Sequence, residues 1–187
     1  MRSIVVVVIL TLATAAHAAC PSGRALATVA DAAFPADMRG NATLDSATCT
    51  AVRSHAGTRW LLELDTGAAG LLIAVVSPSG KVVWTCCGVG GGAIVDATAA
   101  DLDGDGADEL VITTRDATNA RAVGVQSIDG KQGDSIALAP GEQWRVGKPS
   151  SANAGRAASS TWSEIEIHDA AGNAQHYRWA HAVLEHS

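Results

Sequence analysis

The sequence predicts an all-β protein of antiparallel units, with a short helical segment near its N-terminus. From residue 48 onward the chain consists of short β-branched or alternating runs separated by glycine-containing turns, which is the pattern of strands in antiparallel sheets. No helical stripe of useful length interrupts this pattern. We therefore expect blade-like units, arranged either as in a propeller or as a sandwich.

The first 18 residues have the pattern of a secretory signal peptide. Arg2 gives a basic start, residues 4–12 form an apolar stretch, and Ala16-His17-Ala18 is a small-x-small cleavage site. The apolar stretch is too short for a membrane span, which needs about 20 such residues. A lipoprotein signal is less favoured, because an aliphatic residue is expected three places before Cys20 and His17 stands there. The chain is therefore expected to be secreted or periplasmic.

The charge of the chain argues against a nucleic-acid partner. The formal charge of the whole chain is −6, and removal of Arg2 with the signal peptide would make it −7. No basic cluster is present that could neutralise phosphates, so the sequence speaks against binding of nucleic acid.

The four cysteines, Cys20, Cys49, Cys86 and Cys87, all follow the signal peptide. An oxidising compartment favours disulfides, and adjacent cysteines cannot readily place both sulfurs on one tetrahedral zinc ion. A bond between Cys86 and Cys87 would be strained, since neighbouring Cα atoms are only about 3.8 Å apart. Cross-links from Cys20 and Cys49 to this pair would avoid the strain, and the pairing stays open at this point.

Residues 19–47 are expected to form a leader to the β domain of residues 48–187. Within the leader, residues 24–34 predict one short helix that Pro35 stops, and Gly40-Asn41 predicts a turn. Asn41-Ala42-Thr43 fits the N-glycosylation pattern, although a plain turn is the simpler interpretation.

Ten strands are predicted in the β domain. Three of its hairpins resemble one another, each with a glycine in the turn, and these glycines (Gly80, Gly130 and Gly172) lie 50 and 42 residues apart, close to the period of propeller blades. Glycine hairpins are also common in any β protein, so this similarity can be due to chance. The predicted strands are 48–54, 60–64, 71–76, 81–85, 93–98, 109–114, 122–128, 135–138, 162–168 and 175–184.

The stretch "DLDGDGADELVI", residues 101–112, predicts a calcium site. Counting Asp101 as position 1, carboxylates stand at positions 1, 3, 5 and 9, and position 7 can offer a backbone carbonyl. Calcium takes six to eight hard oxygen ligands at about 2.3–2.6 Å, and glycines allow the tight curvature that wraps a chain round the ion. The predicted ligands are Asp101, Asp103, Asp105, the carbonyl of Ala107, and Glu109.

An EF-hand is excluded, because its loop needs a glutamate at position 12, where Ile112 stands, and a strand-forming run follows Glu109. The loop with its flanking strands resembles the FG-GAP or VCBS repeat family over residues 93–138. The resemblance implies a loop that joins the first two strands of a propeller blade and holds calcium. Aspartate is usual at the position of Glu109 in that family, so Asp108 becomes a second candidate ligand. The loop occurs once here, whereas closed propellers of the family repeat it several times.

Other patterns are weaker. Residues 88–93 satisfy G-x-G-x-x-A, but the required helix does not follow, so a glycine loop is the better interpretation. Glu164 and Glu166 alternate with Ile165 and Ile167, which is typical of a half-solvated strand more than of an acid/base pair. A second metal site at the histidines is conceivable from His168, His176 and His181, but exposed edge histidines are commoner.

These observations together predict a calcium-binding β domain that acts as a non-catalytic binding or interaction module. Its ligand or protein partner stays open. The alternatives are a secreted hydrolase-like enzyme whose active site is not visible, and an assembly domain that completes a sheet with partner copies. No serine lies in a G-x-S-x-G nucleophile elbow. Five tryptophans could line a concave ligand surface, although core packing between sheets is the commoner role; they are Trp60, Trp84, Trp144, Trp162 and Trp179.

Overall fold

A computed structural model of the chain describes residues 19–67, 70–86, 93–116, 118–147 and 163–187. In these ranges the protein is mostly β, as predicted, with three four-stranded antiparallel sheets. Among the described residues, no helix is both long and apolar enough to cross a membrane. The proposed signal peptide, Trp162, Cys87 and the glycine-rich residues 88–92 lie outside the described ranges.

Each sheet is a simple meander in which strands adjacent in sequence pair with each other. Sheet A contains β1 (Thr48–Ser54), β2 (Gly57–Asp65), β3 (Leu71–Val76) and β4 (Val82–Cys86). Sheet B contains β5 (Ala93–Ala100), β6 (Glu109–Arg115), β7 (Arg121–Ser127) and β8 (Gly133–Leu138). Sheet C contains β9 (Gln143–Gly147), β10 (Glu164–His168), β11 (Ala174–Ala180) and β12 (Val183–His186).

The strand predictions hold best for β1 and β3, whose bounds agree with the structure. One strand prediction was wrong, and one strand was missed. The run 175–184 is not one strand, because His181 and Ala182 adopt positive φ and turn the chain between β11 and β12. Strand β9 was not predicted; its inward residues Trp144 and Val146 pack against the core that sheets B and C share.

The three sheets stack face to face in chain order. Leu61 and Ile73 of sheet A pack with Leu110 and Ile112 of sheet B in one core cluster. The opposite face of sheet B, including Val111, packs against sheet C in a second cluster. Because side chains alternate between the faces of a strand, sheets covered on both sides need apolar residues at successive positions. The run β3 shows this pattern, since all six of its residues are buried.

The leader packs against the outer face of sheet A. Helix α1 (Gly23–Ala33) ends just before Pro35, as predicted, and is followed by α2 (Ala36–Arg39) and a short 3₁₀ turn (Leu44–Ser46). Ala30, Ala33 and Phe34 join the alternate residues of β2 and β3 in a third core cluster. The leader therefore contributes to the hydrophobic core of the β domain.

A disulfide joins Cys20 to Cys49 and fastens the leader to β1. The Cα atoms are 5.9 Å apart, within the usual range for a disulfide. Of the pairings that the sequence left open, the structure selects this one. Cross-links from Cys20 or Cys49 to the Cys86-Cys87 pair are thereby excluded.

The three similar glycine hairpins have the same turn geometry but do not all occupy the same position within their sheets. In each, the glycine N–H donates to the carbonyl three residues earlier, and the glycine has a positive φ. Gly80 and Gly130 lie between the third and fourth strands of sheets A and B, whereas Gly172 lies between the second and third strands of sheet C. The 50 residues from Gly80 to Gly130 therefore separate equivalent turns of sheets A and B. The 42 residues from Gly130 to Gly172 separate turns that are not equivalent.

Candidate metal centre

Residues 101–108 connect the first two strands of sheet B. Gly104 and Gly106 have φ values of 81° and 87°, a backbone region that side chains with a Cβ rarely adopt. Leu102 is buried in the core between sheets B and C and anchors the loop. The glycines therefore curve the loop, and the leucine holds it against the body of the protein.

Backbone amides within the loop orient its carboxylates. Asp101 accepts hydrogen bonds from the N–H groups of Gly104 (2.7 Å) and Gly106 (3.1 Å). Asp103 accepts one from the N–H of Asp105 (3.0 Å), and Asp105 accepts one from the N–H of Ala107 (2.7 Å). At the far end, Glu109 reaches back along the loop and accepts a hydrogen bond from the N–H of Leu102 (2.8 Å).

This folding brings three of the predicted ligands together. One carboxylate oxygen each from Asp101, Asp103 and Glu109 can be chosen so that all three lie within 4.8 Å of one another. Asp101 and Glu109 are buried, at 3% and 4% exposure, while Asp103 is exposed. Asp105 does not belong to this close group, but it lines the adjoining groove together with Ala107.

The environment disfavours the charged forms of the Glu109 and Asp103 carboxylates. Burial raises the pKa of Glu109 to about 7, and the negative charges of Asp103, Asp105 and Asp101 add to the shift against the opposing hydrogen bond from Leu102. Burial also raises the pKa of Asp103, helped by the charges of Asp105 and Asp101. Burial and neighbouring negative charges both disfavour the charged form of a carboxylate.

The donor set fits a hard divalent cation. All side-chain donors are carboxylate oxygens, which suit calcium, whereas zinc sites use mainly sulfur and nitrogen. Asp101, Asp103 and Glu109 would hold the ion, and the groove side of the loop leaves room for Asp105, the Ala107 carbonyl or water to complete a shell of six to eight oxygens.

Asp108, the second candidate ligand, points elsewhere. Its carboxylate contacts His55 in the turn between β1 and β2, where Oδ2 accepts the backbone N–H of His55 and Oδ1 lies against the ring Nδ1. The hydrogen bond to Asp108 and its negative charge raise the pKa of His55. Nothing in the sequence signals this contact, because the two residues are 53 positions apart.

A groove of about 410 Å³ opens beside the loop. Its lining combines loop residues with the hairpin between β7 and β8 and with Trp179 of sheet C, namely Asp103, Asp105, Ala107, Asp108, Glu109, Ser127, Ile128, Asp129, Lys131, Gln132 and Trp179. Across the groove, Lys131 forms an ion pair with Asp129 (2.7 Å). A cation held by the loop would therefore be reachable from solvent.

The other predicted residues are not assembled into a second metal site within the described ranges. His168 lies 3.1 Å from Glu166, and His176 lies 3.4 Å from Glu164, so each histidine contacts a glutamate on the outer face of sheet C. Both glutamates share that face, as expected, but they are buried, so the prediction of a half-solvated strand was wrong about exposure.

The tryptophans in the described ranges serve the core. Trp60 and Trp179 are buried, while Trp84 and Trp144 are half-buried and pack against the clusters on the two faces of sheet B. This agrees with the commoner role of tryptophan between sheets. No family model matches the sequence, and comparisons with curated proteins and with solved structures found no similar protein. Function is therefore inferred from the geometry of the chain itself.

Proposed function

We propose that the chain is an exported calcium-binding β domain, in which one structural calcium ion is held by the loop 101–109, and that the domain acts as a non-catalytic interaction module. The observation that carries this proposal is the convergence of Asp101, Asp103 and Glu109 within 4.8 Å. Three carboxylates this close repel one another strongly, and burial of two of them weakens screening by water. A dication removes this repulsion.

The position of the loop favours a structural role for the ion. The loop joins two paired strands of the middle sheet, packs Leu102 into the core with sheet C, and contacts sheet A through Asp108. The place of the loop between the first two strands of a four-stranded meander supports the resemblance to FG-GAP and VCBS repeats. Extracellular calcium modules often bind with a Kd of about 10⁻⁴–10⁻³ M, so a resident ion requires no cycle of binding and release.

Two further features support the rest of the proposal. The disulfide between Cys20 and Cys49 is compatible with an exported protein, since such bonds persist in oxidising compartments. A binding role is favoured over catalysis because the carboxylates of the loop are oriented by backbone amides of the loop itself, which suits a fixed cation site.

Thermal melts with calcium or with chelator test the calcium site. At a calcium concentration of about 100 times Kd, binding to the folded state adds about 2.7 kcal/mol, which corresponds to a rise of about 5–10 °C in Tm for a chain of this size. Asp103→Ala removes one of the three convergent ligands and should abolish most of this rise. Magnesium should substitute poorly, because it demands octahedral geometry and dehydrates reluctantly.

Asp45→Ala is the matched control, since it also removes an exposed aspartate but lies in the 3₁₀ turn on the far side of sheet A. It should leave the calcium-dependent rise in Tm unchanged. Equal Tm values for the wild type in calcium and in chelator would contradict the proposed calcium site.

A further inference from the structure

One contact joins the proposed calcium loop to a different sheet. The turn between β1 and β2 of sheet A reaches the loop of sheet B, and His55 presents both its backbone N–H and its ring Nδ1 to the carboxylate of Asp108. Asp108 follows Ala107 and precedes Glu109, two of the predicted calcium ligands. The turn therefore engages the part of the loop that supplies ligands.

The burial of the two partners is unequal. The Asp108 side chain is 2% exposed, whereas the His55 side chain is 73% exposed. A buried carboxylate needs hydrogen-bond partners, because leaving it without them costs considerable free energy. Asp108 is therefore held in one place by the turn, while the turn depends on Asp108 for a buried acceptor.

We propose that Asp108 and His55 couple calcium binding in sheet B to the ordering of the β1–β2 turn in sheet A. This inference rests on the proposed calcium site. An ion that fixes Glu109 and the Ala107 carbonyl restrains the residue between them, and Asp108 passes that restraint to His55. By thermodynamic linkage, if calcium raises the equilibrium constant for ordering of the turn by some factor, then ordering of the turn raises the affinity for calcium by the same factor.

Hydrogen exchange of the His55 amide is the direct reporter, because that N–H donates to Asp108. In the wild type, calcium should slow exchange in the loop 101–109 and also at His55, the latter by a factor within the about 5- to 150-fold range usual for coupled sites. The turn between β2 and β3 lies at the opposite end of sheet A, where Gly70 donates to Gly67, so exchange at Gly70 should stay unchanged and serve as an internal control.

Two variants separate the coupling from the site itself. Asp108→Ala removes both contacts, so calcium should still protect the loop but no longer slow exchange at His55. If that variant does not fold, His55→Ala decides, because it removes only an exposed ring and should weaken the calcium effect at residue 55. His55→Asn, whose side-chain amide can donate from a similar position, should restore part of it.

The outcomes are distinct. Protection of both the loop and His55 in the wild type, with loss at residue 55 alone in the variants, supports the coupling. Protection of the loop without any change at His55 in the wild type overturns the coupling and leaves the calcium site standing. Absence of any calcium effect in the wild type overturns both.

Discussion

Replacing Gly130 by alanine should destabilise the protein more than the same replacement at Gly80. Both glycines occupy the same turn position and have similar φ values, 75° and 83°. A Cβ at Gly80 meets nothing within 4 Å, whereas a Cβ at Gly130 would lie 2.6 Å and 2.7 Å from two ring carbons of Trp84. The pair therefore separates backbone strain from a steric clash between sheets A and B.

The expected losses of stability follow from the backbone strain and the steric clash. The left-handed backbone costs a residue with a Cβ about 1–2 kcal/mol, partly offset by the about 0.4–1 kcal/mol that alanine gains through the unfolded chain. Gly80→Ala should therefore cost about 0–1.6 kcal/mol. Gly130→Ala carries an added overpacking cost of about 1–3 kcal/mol, since the half-buried Trp84 must shift.

Urea denaturation at fixed calcium concentration measures both costs. The extra cost at Gly130 should disappear in a Trp84→Ala background, where the Gly130→Ala change should become as mild as Gly80→Ala. An equal loss of stability at Gly80 and Gly130 in the wild-type background would refute the packing of Trp84 on this hairpin.

Two further predictions concern the disulfide and pH. Because the Cys20–Cys49 bond closes a separation of 29 residues, Cys20→Ser with Cys49→Ser should lower the unfolding free energy by about 3–4 kcal/mol, measured by urea denaturation; an unchanged midpoint would count against the bond. The calcium-free folded state holds the Glu109 proton more tightly than the unfolded state, since burial and neighbouring aspartates raise its pKa from 4.5 to about 7. The Tm in chelator should therefore fall as pH rises from 4.5 to 7, while the stabilisation by calcium should grow over the same interval, and Glu109→Gln should flatten both trends; a Tm in chelator that rises through this interval would show that Glu109 does not dominate.

The parts of the fold that sequence predicts are those with a local cause. The run β3 is apolar throughout, and the structure buries it on both faces. The loop 101–109 combines alternating carboxylates with two glycines, and the structure brings Asp101, Asp103 and Glu109 together while leaving Asp105 outside that close group. In both cases the pattern of neighbouring residues in the sequence indicates the outcome, and contacts with other sheets or with the leader complete it.

The parts that sequence misses depend on distant contacts. His181 and Ala182 turn the chain with positive φ values, although neither belongs to the residue types that usually form such two-residue turns. Strand β9 is short, and its outward Arg145 pairs with Glu166 of β10, 21 residues away. The contact between distant residues also determines the pKa of Glu166. Burial acts to raise this pKa, but the hydrogen bonds from Arg145 and His168 outweigh burial and lower it.

Equilibrium dialysis against calcium, with elemental analysis of the retained protein, tests the central claim most directly. The proposed site predicts one calcium ion per wild-type chain at saturation, with little retained by Asp103→Ala and full retention by Asp45→Ala. Two results would contradict a calcium site at Asp101, Asp103 and Glu109. One is that the wild-type protein retains no calcium at millimolar free concentration, and the other is that the wild type and Asp103→Ala retain equal amounts.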